Sequence, residues 1–203
     1  MGCAFGSMIQ LSPAAAKYQP NLFTTILPTL RDPINAFVLS IYIRTGQTEN
    51  LQLEERMEKY RTQAERIIKC ALHVEEEKVI SSKQSNEDTV VVWMLVTDSQ
   101  YLKTWITETY SSSDGGDARR RIILTTQSRG AHTKVTRQND ASTADFAEAF
   151  IDWYLIGETD AVVADHTAPS FGKTAAFRTA RPYYKAGTDG GSWCNKIEPG
   201  HKW

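Results

Sequence analysis

Polar side chains follow each of four apolar runs along the chain. The first run leads into Arg44-Thr45-Gly46, and the second into Thr97-Asp98-Ser99. The third leads into Thr125-Thr126-Gln127, and the fourth into the segment 165–173. Ligands of open parallel sheets bind outside the carboxyl ends of the strands, so these four polar ends together predict one shared binding site.

Arg44 is the side chain best suited to hold a diphosphate. A guanidinium can donate two parallel hydrogen bonds to a phosphate, and Gly46 would let the backbone approach a ligand closely. The alternative is an arginine that caps the sheet edge in an ion pair. The sequence leaves these two interpretations open.

The segment 169–174 opens the last predicted helix. Free backbone N–H groups and the helix dipole favour an anion at such a position, and Ser170 and Lys173 add a hydroxyl group and a positive charge beside Phe171 and Gly172. The simpler interpretation is a helix cap followed by a hydrophobic residue that docks the helix. The spacing is not that of a Walker A loop.

Three further side chains are candidates for contacts with a nucleoside. Asp98, between Thr97 and Ser99, could accept hydrogen bonds from ribose or a base, or could simply belong to a turn. His132, in the loop after the third run, could reach a base or a phosphate, although a lone loop histidine is more often merely exposed. Asp152 lies beside a tryptophan on a predicted helix, where it serves either as a structural hydrogen-bonding group or as support for the ligand loop.

The elements that must position these residues alternate between strands and helices. Strands are predicted at 36–43, 89–96, 121–125 and 160–164, with Val38, Val92, Ile123 and Val162 among their core residues. Helices are predicted at 51–74, 99–109, 142–158 and from about 170 to 180. This order predicts an α/β fold, with a parallel sheet covered by helices on both faces.

Composition and charge limit the classes of partner. The net charge of -1 provides no overall field for nucleic acid, so an anion site must be local. No apolar run reaches the ~20 residues that span a bilayer, and no signal peptide or membrane contact is expected. Cys3, Cys70 and Cys194 are too scattered for a zinc site or a disulfide framework, although one pair could form in a secretory lumen. The charged clusters 75–77 and 119–121 are expected to be solvated faces.

Three short segments carry a family resemblance. Ile43-Arg44-Thr45-Gly46 follows one strand and Val96-Thr97-Asp98-Ser99 ends another, and a closing segment runs from Asp152 through 160–163 to 170–176. Together they resemble the signatures of GDP-fucose-dependent fucosyltransferases, a superfamily that includes xyloglucan-type α1,2, α1,6 and protein O-fucosyl enzymes. The resemblance covers roughly residues 36–182, and Asp152 matches the aspartate of the closing motif.

This resemblance implies a Rossmann-like domain equivalent to the C-terminal, donor-binding half of a GT-B glycosyltransferase. It implies inverting transfer of fucose from GDP-fucose to a glycan or protein hydroxyl, without metal or another cofactor, in glycan biosynthesis in the Golgi or secretory lumen. Arg44 would grip the diphosphate and stabilise the leaving group, while Ser170 and Phe171 would hold the phosphates and the fucose. Asp98 and the loop with His132 lie where the family places guanosine.

The chain of 203 residues is long enough for one domain with a substantial core. We predict a donor-binding domain over 35–183. An arm over 1–34 precedes it and is interpreted as an extension or as a remnant of the acceptor half, and a tail over 184–203 follows it.

Two positions depart from the family signature. Tyr42 stands where the motif has histidine, and Gln47 stands where it has its closing aspartate. These departures favour an alternative function, a non-catalytic or truncated nucleotide-binding or interaction domain. A third hypothesis is an unrelated flavodoxin-like fold with a phosphate-binding loop.

Overall fold

The structure is a computed structural model that describes residues 9–32, 36–45, 54–81, 90–111, 120–128, 142–165, 170–187 and 193–197. Its strands are β1 Ala36–Ile43, β2 Val90–Thr97, β3 Arg121–Thr125, β4 Ala161–Asp165, β5 Tyr183–Ala186 and β6 Cys194–Ile197. Its α-helices are α1 Leu27–Leu30, α2 Glu54–Ser81, α3 Gln100–Tyr110, α4 Thr143–Gly157 and α5 Ser170–Arg178. A 3-10 turn at Pro13–Lys17 and a π-helical turn at Leu22–Ile26 precede α1.

The strands form a single six-stranded sheet in the order β3-β2-β1-β4-β5-β6. The first five strands are parallel, and β6 runs antiparallel to β5. The predicted α/β architecture is therefore confirmed. The predicted core residues lie in the expected strands, namely Val38 in β1, Val92 in β2, Ile123 in β3 and Val162 in β4.

Strands β1 and β2 have both faces covered, which is why they are almost continuously apolar. In β2 every residue after Val90 is buried, as expected of a parallel strand between two helical layers. Alternate residues face opposite layers, so that Trp93 packs in the cluster with α2 and α3, and Met94 packs in the cluster with α4 and α5. The helices thus divide into two layers, as the predicted crossovers require.

The sheet order has a reversal next to its centre. From β1 the chain moves outward through β2 to β3, and then returns to place β4 on the other side of β1. Such a reversal in a doubly wound sheet opens a crevice between the carboxyl ends of the two strands at the switch point. In this chain those strands are β1 and β4, which are followed by Arg44 and by helix α5.

Serine side chains begin two helices where the sequence predicts them to begin. The Ser99 hydroxyl accepts a hydrogen bond from the Leu102 amide at 3.3 Å and starts α3. Ser142 and Asp145 form a reciprocal capping box at the start of α4. The backbone N–H groups at both helix starts are therefore partly satisfied within the chain.

The N-terminal segment packs on the core as part of the α4 and α5 layer. Its apolar side chains Leu22, Ile26, Leu27 and Leu30 are buried in the same cluster as residues of these helices. The predicted arm is therefore a structural part of the domain, and its origin in an acceptor half stays a hypothesis.

The C-terminal segment differs from the predicted tail. Residues 183–186 and 194–197 form β5 and β6, because Tyr183, Tyr184 and Ala186 bury their side chains against the two layers. The amide of Gly187 donates to the carbonyl of Trp193 at 2.8 Å and closes the connection between the two strands. The sheet therefore extends beyond residue 184, where the predicted tail begins.

The acidic cluster at 75–77 also differs from its prediction, and helix α2 continues through it to Ser81. Glu75 is buried and accepts hydrogen bonds from the Trp93 indole at 3.0 Å and from Arg121 at 2.8 Å. Glu75 of α2 and Arg121 of β3 are therefore partners on one face of the sheet, while Glu76, Glu77 and Arg120 are exposed as predicted. Burial of this carboxylate is tolerable because its oxygens are paired.

A disulfide joins Cys70 of α2 to Cys194 of β6 across 124 residues of sequence. The bond holds the terminal antiparallel strand against the helix layer. The sequence alone does not decide whether two of the three cysteines are bonded, and the structure shows that Cys70 and Cys194 are.

The Cys194→Ser variant is expected to lose about 2–5 kcal/mol of unfolding free energy, because the unfolded chain is no longer restricted by the closed loop. Urea unfolding under oxidising conditions measures this difference. Reductant should lower the stability of the wild type to that of the variant and leave the variant unchanged. Equal stability of the wild type with and without reductant would contradict the covalent link.

Candidate functional site

Arg44 and Asp98 lie side by side at the carboxyl ends of β1 and β2. The Arg44 Nε atom is 3.2 Å from an Asp98 carboxylate oxygen, and the exposed fractions of these side chains are 20% and 1%. The other Asp98 oxygen accepts from the Thr45 amide at 2.8 Å and from the Thr45 hydroxyl at 2.9 Å. Asp98 therefore holds the end of β1 and orients the guanidinium through its Nε edge.

These contacts are those of the structural interpretation of Asp98, because its carboxylate is buried and bonded to groups of the chain. A contact between Asp98 and a donor stays a prediction. Arg44 is ion-paired at the sheet edge and is partly exposed there, and its predicted contact with a diphosphate stays a prediction as well.

Thr97 and Ser99 are buried and serve the turn between β2 and α3. The Thr97 hydroxyl accepts from the Ser99 amide at 3.3 Å, and the Ser99 hydroxyl caps the helix. Their contacts support the local backbone around Asp98. Their predicted role in donor contact stays a prediction.

An aromatic pair connects β1 to the start of α5. The rings of Tyr42 and Phe171 are stacked with their centroids 5.4 Å apart. Gly172 lies directly against the tyrosine, since a Cβ atom at this position would be 2.9 Å from the Tyr42 Cδ1 atom. The close approach explains why glycine stands at the third position of this helix.

Tyr42 lies among the charged groups of the site. Burial raises the pKa of its hydroxyl to about 12, while Arg44 lowers it and the carboxylates of Asp98 and Asp152 raise it. A tyrosine at this position is therefore a neutral hydrogen-bonding group at physiological pH. The histidine of the family signature would instead titrate near neutrality.

Helix α5 begins at the same edge of the sheet, and Ser170 at its first position is exposed. The Trp153 indole donates to the Thr174 hydroxyl at 3.0 Å, and this hydroxyl donates to the Phe171 carbonyl at 3.0 Å. The Lys173 ammonium group lies over the Phe177 ring at 5.5 Å from the centroid. The first turn is thus fixed from β1 by Tyr42 and from α4 by the indole.

The far end of α5 is fastened to α4 as well. Arg178 donates to the Tyr154 carbonyl at 2.9 Å and to the Glu158 carboxylate at 3.0 Å. Its guanidinium also lies over the Tyr154 ring, 4.4 Å from the centroid. Because both ends of α5 are anchored, the helix has a defined position relative to Arg44.

Asp152 faces the end of β3 from within α4. It is buried and accepts a hydrogen bond from the Thr126 hydroxyl at 2.6 Å. Burial raises its pKa to about 6, opposed by hydrogen bonds from Thr126 and Ser128 and by the charge of Lys103. The contacts of Asp152 in this structure are therefore those of a structural hydrogen-bonding group. A direct contact with a donor stays a prediction.

Lys103 is a buried charge that sequence reasoning missed. Its ammonium group donates to the carbonyls of Thr126 at 2.9 Å and Ser128 at 2.7 Å. Burial lowers its pKa, against the influence of Asp152 and other carboxylates. A lysine on an amphipathic helix carries no sequence signal for burial, so only the tertiary structure shows it.

Two predicted site residues, Gly46 and His132, lie outside the described residues. Within the described ranges, no group of three or more histidine, cysteine, aspartate or glutamate side chains could hold a metal ion. No helix found there is long and apolar enough to cross a membrane. The site is therefore described by Arg44, Asp98, Tyr42, Asp152 and the first turn of α5.

The strand order and its reversal between β1 and β4 define a doubly wound α/β domain. Neither protein-family models nor curated protein sequences give a match. Solved structures do: an arginine-to-lysine mutant of Arabidopsis thaliana FUT1 in complex with GDP aligns with a TM-score of 0.55 and 10% identity, over 91% of this chain and 36% of that one.

The fucosyltransferase NodZ from Bradyrhizobium aligns over 93% of this chain and 49% of its own, with a TM-score of 0.49 and 12% identity. The chain thus spans half or less of the length of these structures. The likeness to FUT1 supports the predicted α/β fold, which corresponds to part of that structure. At 10% identity it shows the fold alone.

Gly172→Ala is expected to destabilise the protein by about 1–3 kcal/mol, because the new methyl group overlaps the Tyr42 ring. In a Tyr42→Ala background the same change should stabilise by about 1 kcal/mol, since alanine is the better helix former. Urea unfolding of the four proteins measures both differences. Destabilisation of equal size in both backgrounds would show that the ring is not the cause.

The stability of the chain is expected to depend on pH through Asp152. The folded-state pKa of about 6 lies above the ordinary value of 3.8, so the stabilising contribution is full below about pH 4 and is lost as pH rises through about 6. The Asp152→Asn variant lacks this titration. Wild type should therefore gain stability relative to the variant as pH falls from about 7 to about 5. A difference in unfolding free energy that stays constant with pH would contradict the assignment.

Proposed function

We propose that this chain is the donor-binding part of a fucosyltransferase that takes fucose from GDP-fucose. The observation that carries the proposal is that Arg44 follows β1 two residues after Tyr42, whose ring stacks on Phe171 in the first turn of α5, at the reversal between β1 and β4. A guanidinium and a helix N-terminus are two groups that favour a diphosphate. The fold shared with the FUT1 structure supports the same conclusion.

In the proposed complex the diphosphate lies between Arg44 and the backbone amides near Ser170. The Nε edge of the guanidinium is oriented by Asp98, which limits the rotamers available to the arginine before the ligand arrives. A donor group that is already oriented stabilises developing charge without further reorganisation. Arg44 would therefore favour departure of GDP when an acceptor hydroxyl attacks the anomeric carbon of fucose with inversion.

The proposed reaction uses the positive groups of the protein and no metal ion. The acceptor is a hydroxyl group of a glycan or of a protein, as the family resemblance implies. The Cys70–Cys194 disulfide supports a place in an oxidising compartment such as the Golgi lumen, since such bonds persist there and are rare in the cytosol.

A second candidate function is nucleotide binding without turnover. The observation that favours it is Tyr42, a neutral, buried phenol where the family signature has histidine. A protein of this kind would bind GDP and GDP-fucose with similar affinity and release no GDP from GDP-fucose. Measuring GDP release in the presence of glycan and glycoprotein acceptors separates it from the enzyme.

Arg44→Lys is expected to weaken GDP binding about tenfold to a hundredfold, because lysine cannot reproduce a two-pronged contact and a charge-assisted hydrogen bond is lost. Ser170→Ala should cost less, since the amides of the helix start remain. Isothermal titration calorimetry with GDP measures both effects.

The matched control is Arg181→Lys, a partly exposed arginine that precedes β5 at the opposite end of the sheet. It should leave GDP affinity unchanged. Equal GDP affinity of folded wild type and Arg44→Lys would reduce Arg44 to a structural role. If the wild type does not bind GDP, the proposed function is wrong.

A further inference from the structure

Three buried polar side chains converge on the short stretch 126–128 after β3. Lys103 of α3 donates to the carbonyls of Thr126 and Ser128. Asp152 of α4 accepts from the Thr126 hydroxyl, and the Gln19 side chain accepts from the amide of Gln127 at 3.0 Å. We call these three side chains, Lys103, Asp152 and Gln19, the β3 clamp.

Burying the clamp costs more free energy than burying residues that only fill space. A buried ammonium and a buried carboxylate lose their hydration, and apolar groups of similar volume would often be as stable. The polar groups hold the backbone in one orientation, because each hydrogen bond fixes the position of one backbone or hydroxyl atom. Four such bonds fix three consecutive residues outside the strand.

The clamp shares the carboxyl edge of the sheet with the proposed phosphate site, and a carboxylate of each acts on a group of the other. Asp98, which orients Arg44, also acts on the charge of Lys103. Asp152 acts on Tyr42, which stacks on the first turn of α5. Strands lie about 4.8 Å apart, so the end of β3, two strands from β1, lies roughly 10 Å from Arg44 along the carboxyl edge.

A nucleotide whose diphosphate lies over β1 and β4 can extend along this edge in two directions. Toward β5 the described residues at this edge are Ala186, Gly187 and Trp193, and the Gly187 amide is already bonded to the Trp193 carbonyl at 2.8 Å. Toward β2 and β3 it meets the clamped stretch 126–128, with its fixed backbone and polar side chains. Recognition of a base needs such precisely held polar groups.

We propose that Lys103 is a positioning residue for the nucleoside end of the bound nucleotide. It acts through residues 126–128 and does not touch the ligand. The inference rests on the proposed function and adds the residue that sets selectivity for the base. Arg44 has a different role, because it would bind the phosphates of any nucleoside diphosphate.

The test compares the affinities of GDP and ADP, which differ only in the base. Lys103→Met keeps the length of the side chain and removes its donors. We expect it to weaken GDP binding about tenfold and ADP binding much less, so that the preference for GDP falls. Arg44→Lys should weaken both ligands by the same factor and leave the preference unchanged. Lys69→Met, a change of the same kind on the exposed side of α2, should alter neither affinity.

Gln19→Leu is the second variant, used where Lys103→Met does not fold. It removes only the acceptor for the Gln127 amide and should lower the same preference. Calorimetry of all five proteins with both nucleotides gives the ratios, which a partly unfolded sample does not change.

Three results would overturn the inference. Lys103→Met could lower both affinities equally, it could change neither, or wild type could bind GDP and ADP equally well. In each case the phosphate site keeps its support, provided that wild type binds GDP and that Arg44→Lys binds it more weakly. A wild type that binds neither nucleotide defeats the proposed function and this inference with it.

Discussion

The structure depends on the burial of β1 and β2 on both faces. These strands are apolar on both sides, so a helical layer must cover each face. The chain covers the first face with α2 and α3 and then must reverse direction across the sheet to cover the second. The reversal between β1 and β4 follows from this requirement, and it places the two strand ends that precede Arg44 and α5 next to each other.

Two carboxylates at this edge of the sheet hold other groups of the chain in position. Asp98 holds the end of β1 and the Nε edge of Arg44, and Asp152 holds the end of β3. Both are buried, and their cost is offset by hydrogen bonds from the chain. Arg44 and the start of α5 are among the described groups that stay exposed or partly exposed at this edge, so a positive side chain and a helix N-terminus lie there.

Local periodicity determines most of the fold. The apolar runs at 36–43 and 121–125 are strands with those bounds, and Ser99 and Ser142 begin helices as predicted. These features are local, since a strand pattern, a cap and a helix face are each set by neighbouring residues. The segment after 184 differs from its prediction because its two strands are short and are stabilised by pairing with β4 and by the disulfide to α2.

The sequence by itself also determined which strand ends carry polar groups, and so the edge of the sheet where a site could form. Only the tertiary structure decided which of those groups are buried partners of one another and which remain exposed. It paired Arg44 with Asp98, stacked Tyr42 on Phe171 and buried Lys103 beside Asp152. The physical reason is that charge pairing and desolvation depend on distances between residues far apart in the chain, which no local pattern of residues encodes.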